Sequence, residues 1–115
     1  MVKLVSLKKS NHFKRALKEK KINNDFFSLF AAKKILKNNR FKTLNISFVM
    51  KKKIGNAVKR NKIRRKLKGI VLKLSKIKGA INYNYTYIVF GKSKAYTEKH
   101  KILMEAMIKS FEKVN

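Results

Sequence analysis

Residues 51–68 constrain this chain more than any other part of it. Ten of these 18 residues are Lys or Arg, and none is Asp or Glu. Apolar residues nevertheless recur at helical spacing, and they continue beyond the basic run as one stripe: Ile63, Leu67, Ile70, Val71 and Leu74. A disordered basic tail would not need such spacing. The run therefore predicts a folded surface that binds a polyanion, and RNA is the polyanion it favours.

The charge of the whole chain predicts the same kind of partner. The formal net charge is +27 over 115 residues, and self-repulsion at that charge destabilises a compact fold. No acid lies between residues 26 and 97, whereas that stretch carries 20 Lys and Arg residues. We therefore expect a counter-charged partner, and nucleic acid is the usual one for such a balance. No segment resembles a membrane anchor, so we expect no membrane partner.

The remaining composition limits the class of protein. The chain has no Cys, which excludes disulfides and thiolate-ligated metal sites. It has no apolar stretch long enough to span a membrane, and residues 1–11 lack the apolar core of a secretory signal. Neither a repeat nor a linker rich in Pro, Gly or Ser divides it. We expect one RNA-binding domain, residues 1–115, in a cytoplasmic protein.

The order of predicted elements favours an α/β sandwich, with helices packed on one small sheet. In chain order we predict a helix over 10–20, strands over 26–32 and 43–50, a helix over 57–74, and a strand over 85–91. A last helix, which Thr97 can cap, is predicted to extend to about residue 113. The second strand alternates in the manner of a half-buried strand, with an inner face formed by Leu44, Ile46, Phe48 and Met50. Asn56 is a good N-cap for the helix that follows.

The helix over 57–74 separates its two kinds of cation. At about 100° per residue, one side of the apolar stripe, the arginine flank, carries Arg60, Asn61, Arg64, Arg65 and Lys68. The other side, the lysine flank, carries Lys59, Lys62 and Lys66. The chain has five Arg against 27 Lys, so three Arg within six residues indicate a requirement that Lys does not meet. Arg offers a planar fork for phosphate and stacks on bases, which predicts RNA binding on its flank.

No group of side chains predicts catalysis by the protein itself. Glu98, Glu105 and Glu112 share a helix face at intervals of seven residues. Seven residues span about 10 Å of helix axis, which is too far for one metal. Hydrolysis of a phosphodiester without a metal needs a general acid and a general base. His12 and His100 are the only imidazoles in the chain, and they leave a stand-alone ribonuclease open as an alternative.

The basic run also matches the motif of a known family. The sequence reads Lys52-Lys53-Ile54-Gly55-Asn56-Ala57-Val58 and continues with Arg60-Asn61, Arg64-Arg65 and Lys68. In this it resembles the bacterial ribonuclease P protein subunit, whose signature is a Lys-Lys-Val/Ile-Gly-Asn-Ala-Val step followed by an Arg-Asn-x-x-Lys/Arg-Arg-x-x-Arg helix. An early Leu7-Lys8 with Phe13, the aromatic strand 26–32 and the strand end Gly91-Lys92 fit the same pattern.

The resemblance implies a fold and a function. The family folds as an αβββαβα sandwich with a left-handed βαβ crossover around the signature helix, as in the second domain of ribosomal protein S5. The family assembles with a large catalytic RNA, which with bound magnesium removes the 5′ leader of precursor tRNA. The implied partners are this catalytic RNA and precursor tRNA, with the magnesium held mainly by the RNA and no obligate protein partner. A ribosomal RNA-binding protein with no part in cleavage is the alternative.

The resemblance also implies roles residue by residue. Contact with the catalytic RNA is implied for Lys52, Lys53, Asn56, Arg60, Asn61, Arg64, Arg65 and Lys68. Contact with the leader, in a cleft between the first helix and the sheet, is implied for Phe13, Leu17, Phe30 and Lys51. Leu17 stands where the family often has a second aromatic, and Lys92 stands where it usually has Arg. No protein residue is assigned to catalysis or to a metal.

Overall fold

The computed structural model describes residues 3–6, 14–33 and 43–114. In these residues the sheet consists of β1 (Lys3–Val5), β2 (Lys20–Asn23), β3 (Phe27–Lys33), β4 (Thr43–Val49) and β5 (Tyr85–Gly91). Two long helices, α1 (Ala57–Leu74) and α2 (His100–Val114), pack on the sheet. A short 3₁₀ turn precedes each helix, at Lys52–Ile54 and at Ser93–Tyr96. Residues 14–16 are also helical.

The sheet is mixed, with the strand order β1-β4-β5-β3-β2. β4 pairs in parallel with both β1 and β5, whereas β3 pairs antiparallel with both β5 and β2. α1 therefore connects two neighbouring parallel strands, β4 and β5, and this βαβ unit is the crossover that the resemblance implies. The predicted α/β sandwich is confirmed, with β1 as one strand beyond the αβββαβα order. The left-handed sense of the crossover stays a prediction.

One face of the sheet forms the main core with the two helices. α1 buries the stripe that its spacing predicts: Ile63, Leu67, Ile70, Val71 and Leu74. α2 buries Leu103, Met107, Phe111 and Val114. Tyr87 of β5 lies in this core, with its ring edge-on to that of Phe111 at 4.9 Å between centroids. Its hydroxyl donates to the backbone oxygen of Asn82 at 2.7 Å, and burial raises its pKa.

Among the described residues, the opposite face of the sheet is covered only in part. Ala32 of β3 and Ile88 of β5 are fully buried there in a small cluster with Ala16, which belongs to the helical segment 14–16. Phe30 and Phe90 pack against this cluster and stay partly exposed. The two aromatic rings thus lie at the edge of the covered region.

The predicted helix over 10–20 differs from the structure at its end. Residues 14–16 are helical, but residues 17–19 form a turn and a bend, and Lys20 begins β2, so the extension of the helix to residue 20 is wrong. Residues 10–13 lie outside the described part of the chain. Backbone pairing of β2 with residues 28–31 of β3 outweighs the local helical pattern here. The last helix begins at His100, so the prediction that Thr97 caps it is wrong: Thr97 is instead the C-cap of the 3₁₀ turn Ser93–Tyr96.

Candidate RNA-binding surfaces

The turn between β4 and α1 sets the direction of the basic helix. Lys52 and Lys53 lie exposed in its 3₁₀ segment. Asn56 caps α1 as predicted, because its side-chain oxygen Oδ1 accepts from the backbone N–H of Lys59 at 2.9 Å. Gly55 has a φ of +153°, which residues with a Cβ rarely adopt, and a Cβ there would lie 2.8 Å from Lys59 Cδ. The glycine therefore lets the chain turn sharply from the sheet into the helix.

The arginine flank of α1 faces solvent. Asn61, Arg65 and Lys68 are exposed, and Arg60 and Arg64 are partly exposed. The side-chain oxygen of Asn61 accepts from Arg64 Nη1 at 3.0 Å, one helical turn away. Asn61 therefore orients the Arg64 guanidinium. Because arginine presents several N–H donors in one plane, this flank suits bidentate contact with phosphate.

The lysine flank makes different contacts, because it binds the segment between β5 and α2. Lys59 Nζ donates to Ser93 Oγ at 2.7 Å. Lys66 Nζ donates at 2.8, 3.0 and 2.8 Å to three backbone oxygens, those of Ala95, Tyr96 and Glu98. The separation of arginines from lysines in the sequence thus corresponds to two sides of α1, one open to solvent and one packed on residues 93–98.

The position of Lys66 carries an electrostatic cost. Burial lowers the pKa of its ammonium, repulsion from Lys62 lowers it further, and Glu98 acts in the opposite direction. The three backbone oxygens offset this cost, because each accepts a hydrogen bond from a charged donor. Lys66 is therefore a structural residue, although its charge alone would place it among the RNA-binding lysines.

A cleft of about 590 Å³ opens on the partly covered face of the sheet, beside the turn that precedes α1. Its aromatic centre is formed by Phe30 of β3 and Phe90 of β5, whose ring centroids lie 5.4 Å apart at an interplanar angle of 75°. Leu17, which is 37% exposed, adds an apolar wall. The cleft is also lined by four lysines: Lys21, Lys51, Lys53 and Lys92. Apolar surface and positive charge therefore meet in one concave site.

Two of these lysines lie beside the aromatic rings of the cleft. Lys21 Nζ is 5.5 Å from the ring centroid of Phe30, and Lys51 Nζ is 5.4 Å from that of Phe90. Single-stranded nucleic acid is bound by such combinations, because bases stack on the rings while the cations neutralise phosphates. The cleft therefore suits an unpaired segment of RNA.

Polar side chains fix one end of the cleft. Ser28 Oγ and Lys92 Nζ both donate to Asn23 Oδ1, each at 2.6 Å. Lys92 Nζ also donates to the backbone oxygen of Asn24 at 2.7 Å. The lysine that stands where the family usually has Arg thus ties the end of β5 to the β2–β3 hairpin.

The predicted leader-contacting residues come together as far as the structure describes them. Leu17, Phe30 and Lys51 all line the cleft. Phe13 lies outside the described residues. Lys53, which the resemblance places against the catalytic RNA, lines the cleft as well.

Phe90 and Lys21 are cleft residues that the sequence analysis missed. Alternation along β5 could have identified Phe90, because Tyr87 and Val89 belong to the main core and Phe90 therefore falls on the opposite face. Lys21 gives no such local signal. Its place opposite Phe30 depends on the pairing of β2 with β3, directly after a stretch whose pattern predicts a helix.

Side chains that bind metal ions do not cluster in the part of the chain that the structure describes. No group of three or more His, Cys, Asp or Glu side chains among these residues could hold a metal ion. His100 Nε2 lies 3.3 Å from Lys73 Nζ, and the second imidazole, His12, lies outside the described residues. No described helix is long and apolar enough to cross a membrane.

Comparison with known proteins identifies one family. The family model for ribonuclease P matches residues 1–115. The structure is similar to that of the RNase P protein of Staphylococcus aureus, with a TM-score of 0.71, 22% identity, and coverage of 96% of this chain and 94% of that one. For the RNase P protein of Thermotoga maritima the values are 0.71, 21%, 96% and 98%. No curated protein matches the sequence. Because the family model covers the whole chain, this chain belongs to the ribonuclease P protein family.

Proposed function

We propose that this protein subunit of ribonuclease P binds two RNA partners on two surfaces. The catalytic RNA binds the arginine flank of α1, and the 5′ leader of precursor tRNA binds the cleft. The observation that carries the proposal is that both surfaces adjoin one turn. Lys51 and Lys53 line the cleft, and Asn56, only three residues further along, caps the helix that carries the arginines. One short connection therefore holds the leader cleft next to the helix surface.

The cleft suits the leader because the leader is single-stranded. Phe30 and Phe90 offer partly exposed rings, and Lys21 and Lys51 lie beside them. Stacking on an aromatic side chain is worth about 1–3 kcal/mol per base. The bases of a folded tRNA body are already paired or stacked, so the cleft favours precursor over mature tRNA. Phe13 is a further candidate for stacking on the resemblance alone.

The arginine flank suits the phosphates of the catalytic RNA. Arg60, Arg64, Arg65 and Lys68 share one side of α1, and Lys52 lies exposed in the turn before it. Asn61 acts through Arg64, whose guanidinium it orients. Each phosphate contact makes binding more dependent on salt, with a slope of about 0.7–0.9 per contact. Several contacts on one helix therefore give tight, salt-sensitive binding.

The chemistry of cleavage belongs, in this proposal, to the RNA partner. Magnesium, bound mainly by that RNA, would activate the attacking water and stabilise the leaving oxygen. The protein, acting as one domain in the cytoplasm, holds the leader in place and neutralises phosphates that crowd together in the complex. The protein is therefore expected to lower the magnesium concentration at which the complex is active.

The leader assignment is tested with Phe30→Leu and Phe90→Leu in the holoenzyme reconstituted with its catalytic RNA. Leucine keeps apolar contact with the small cluster around Ile88 but removes the stacking ring. Affinity for precursor tRNA should fall by about fivefold or more, while affinity for mature tRNA stays unchanged. Equal losses for both tRNAs, or no loss for either, would refute the assignment.

The arginine flank is tested by the salt dependence of binding to the catalytic RNA. Arg64→Gln should reduce the slope of log affinity against log salt by about 0.7–0.9, the value for one phosphate contact. Lys109→Gln is the matched control, because it removes one charge from an exposed position on α2. The proposal fails if the two variants have the same affinity and the same slope.

A ribosomal RNA-binding protein, the alternative considered from the sequence, is not favoured by the family match. A ribosomal protein would have a similar charge and size, but its RNA binding would not depend on the leader of precursor tRNA. The comparison of precursor with mature tRNA therefore separates the two functions directly.

A further inference from the structure

We infer that the single-stranded RNA track continues beyond the cleft to Tyr96, where Lys59 and Lys62 complete a second stacking site for the leader. This inference rests on the proposed function, because it extends the leader site. It concerns leader nucleotides beyond those that stack on Phe30 and Phe90.

The cleft leads to Tyr96 through a short series of contacts. Ser93, at the start of the 3₁₀ turn, lines the cleft, and its Oγ accepts from Lys59 Nζ at 2.7 Å. The same ammonium lies 5.4 Å from the ring centroid of Tyr96. An RNA strand that leaves the cleft at Ser93 therefore meets a lysine first and an aromatic ring next.

The site at Tyr96 repeats the arrangement found inside the cleft. Lys62 Nζ lies 4.8 Å from the Tyr96 centroid, and the two lysine–phenylalanine pairs of the cleft have distances of 5.4 and 5.5 Å. A base can replace the ammonium against each ring. The displaced lysine has a long, flexible stem and can reach a neighbouring phosphate, so the positive charge is retained at the site.

Tyr96 is held in place before RNA binds. Its backbone oxygen accepts from Lys66 Nζ at 3.0 Å, and its side chain packs against the main core while staying partly exposed. A ring that is already ordered loses little conformational freedom on binding, so more of the stacking energy contributes to affinity. The contacts of Lys66 with the segment thus help to form the second site.

The test is a series of precursor tRNAs with leaders of increasing length, titrated against the reconstituted holoenzyme. Wild-type affinity should rise in two steps, first as the leader fills the cleft and again as it reaches Tyr96. Tyr96→Leu keeps apolar contact with the core and should lose only the second step, by about fivefold or more. Lys62→Gln, which leaves the ring in place, should give a smaller loss at the same lengths.

Tyr83→Leu is the matched control, because Tyr83 is also a half-buried tyrosine packed on the main core, with its hydroxyl 3.4 Å from the Ser75 backbone oxygen. It should leave the dependence on leader length unchanged. If Tyr96→Leu weakens every substrate equally, mature tRNA included, or weakens none, the inference is overturned. Phe90→Leu distinguishes failure of this inference from failure of the proposed function. If Phe90→Leu weakens leader binding and Tyr96→Leu does not, the cleft binds the leader and the second site is wrong. If neither variant weakens leader binding, the proposed leader site is wrong as well.

Discussion

Replacing Lys66 with Met should destabilise the protein far more than removing the charge of an exposed lysine. The ammonium of Lys66 donates to three backbone oxygens at 2.8–3.0 Å, and these oxygens belong to residues 95, 96 and 98. Met retains most of the apolar volume of the lysine stem but donates no hydrogen bond. The substitution therefore isolates the bonds that join the lysine flank of α1 to the segment before α2.

The magnitude follows from hydrogen bonds with a charged donor, each worth about 1.5–3 kcal/mol. The three bonds share one partly exposed ammonium, so we expect a loss near that of one bond, about 2 kcal/mol. Removal of one positive charge from a chain of net charge +27 acts in the opposite direction. For a chain of this length, a loss of that size lowers Tm by about 8 °C.

The assay is thermal and urea unfolding followed by circular dichroism at fixed salt, with Lys68→Met as the control. Lys68 is exposed on the arginine flank, so its substitution removes the same charge and should change stability by less than about 0.5 kcal/mol. In binding to the catalytic RNA, Lys68→Met should have the larger effect. Only Lys68→Met should reduce the slope of log affinity against log salt. If both variants unfold at the same midpoint, the assignment of Lys66 as a structural residue is wrong.

Substitutions at two glycines and at the N-cap test the packing and the capping of α1. Gly69→Ala should stabilise the protein by about 0.5–1 kcal/mol, because the position is helical and a Cβ meets nothing within 4 Å; a lower urea midpoint would contradict this. Gly91→Ala should destabilise it by about 1–3 kcal/mol, because a Cβ would overlap with Met50 Sδ and Ile63 Cγ2. An unchanged urea midpoint would mean that these two side chains can move aside at little cost in free energy. Asn56→Ala should cost about 1 kcal/mol by removing the N-cap bond, and Asn56→Asp should retain most of that stability; equal losses for the two would exclude capping as the cause.

The basic helix could be predicted because two local signals coincide on it. The apolar stripe gives its buried face, and Asn56 gives its start, where the side chain caps α1 in the structure. The angular positions also separate the arginines from the lysines. The reason for that separation could not be predicted, because the partners of Lys59 and Lys66 lie in residues 93–98, about 30 positions away in the sequence.

The cleft could be predicted only in part. Phe30 was placed there by resemblance, since periodicity alone gives two faces of a strand without saying which face the helices cover. Lys21 enters the cleft through the pairing of β2 with β3, and this pairing is a tertiary contact that no local pattern reveals. β1 was missed for a similar reason, because three residues are too few to show alternation and the strand depends on β4.

The central claim is that this protein acts on precursor tRNA only together with its catalytic RNA. The most direct test is cleavage of a 5′-labelled precursor tRNA at low magnesium by the protein alone, by the RNA alone, and by both. We predict that only the mixture cuts, and that it cuts at the mature 5′ end. Cleavage by the protein alone would contradict the central claim and would make His12 and His100 candidates for the general acid and the general base. A mixture that cuts no better than the RNA alone would contradict it as well.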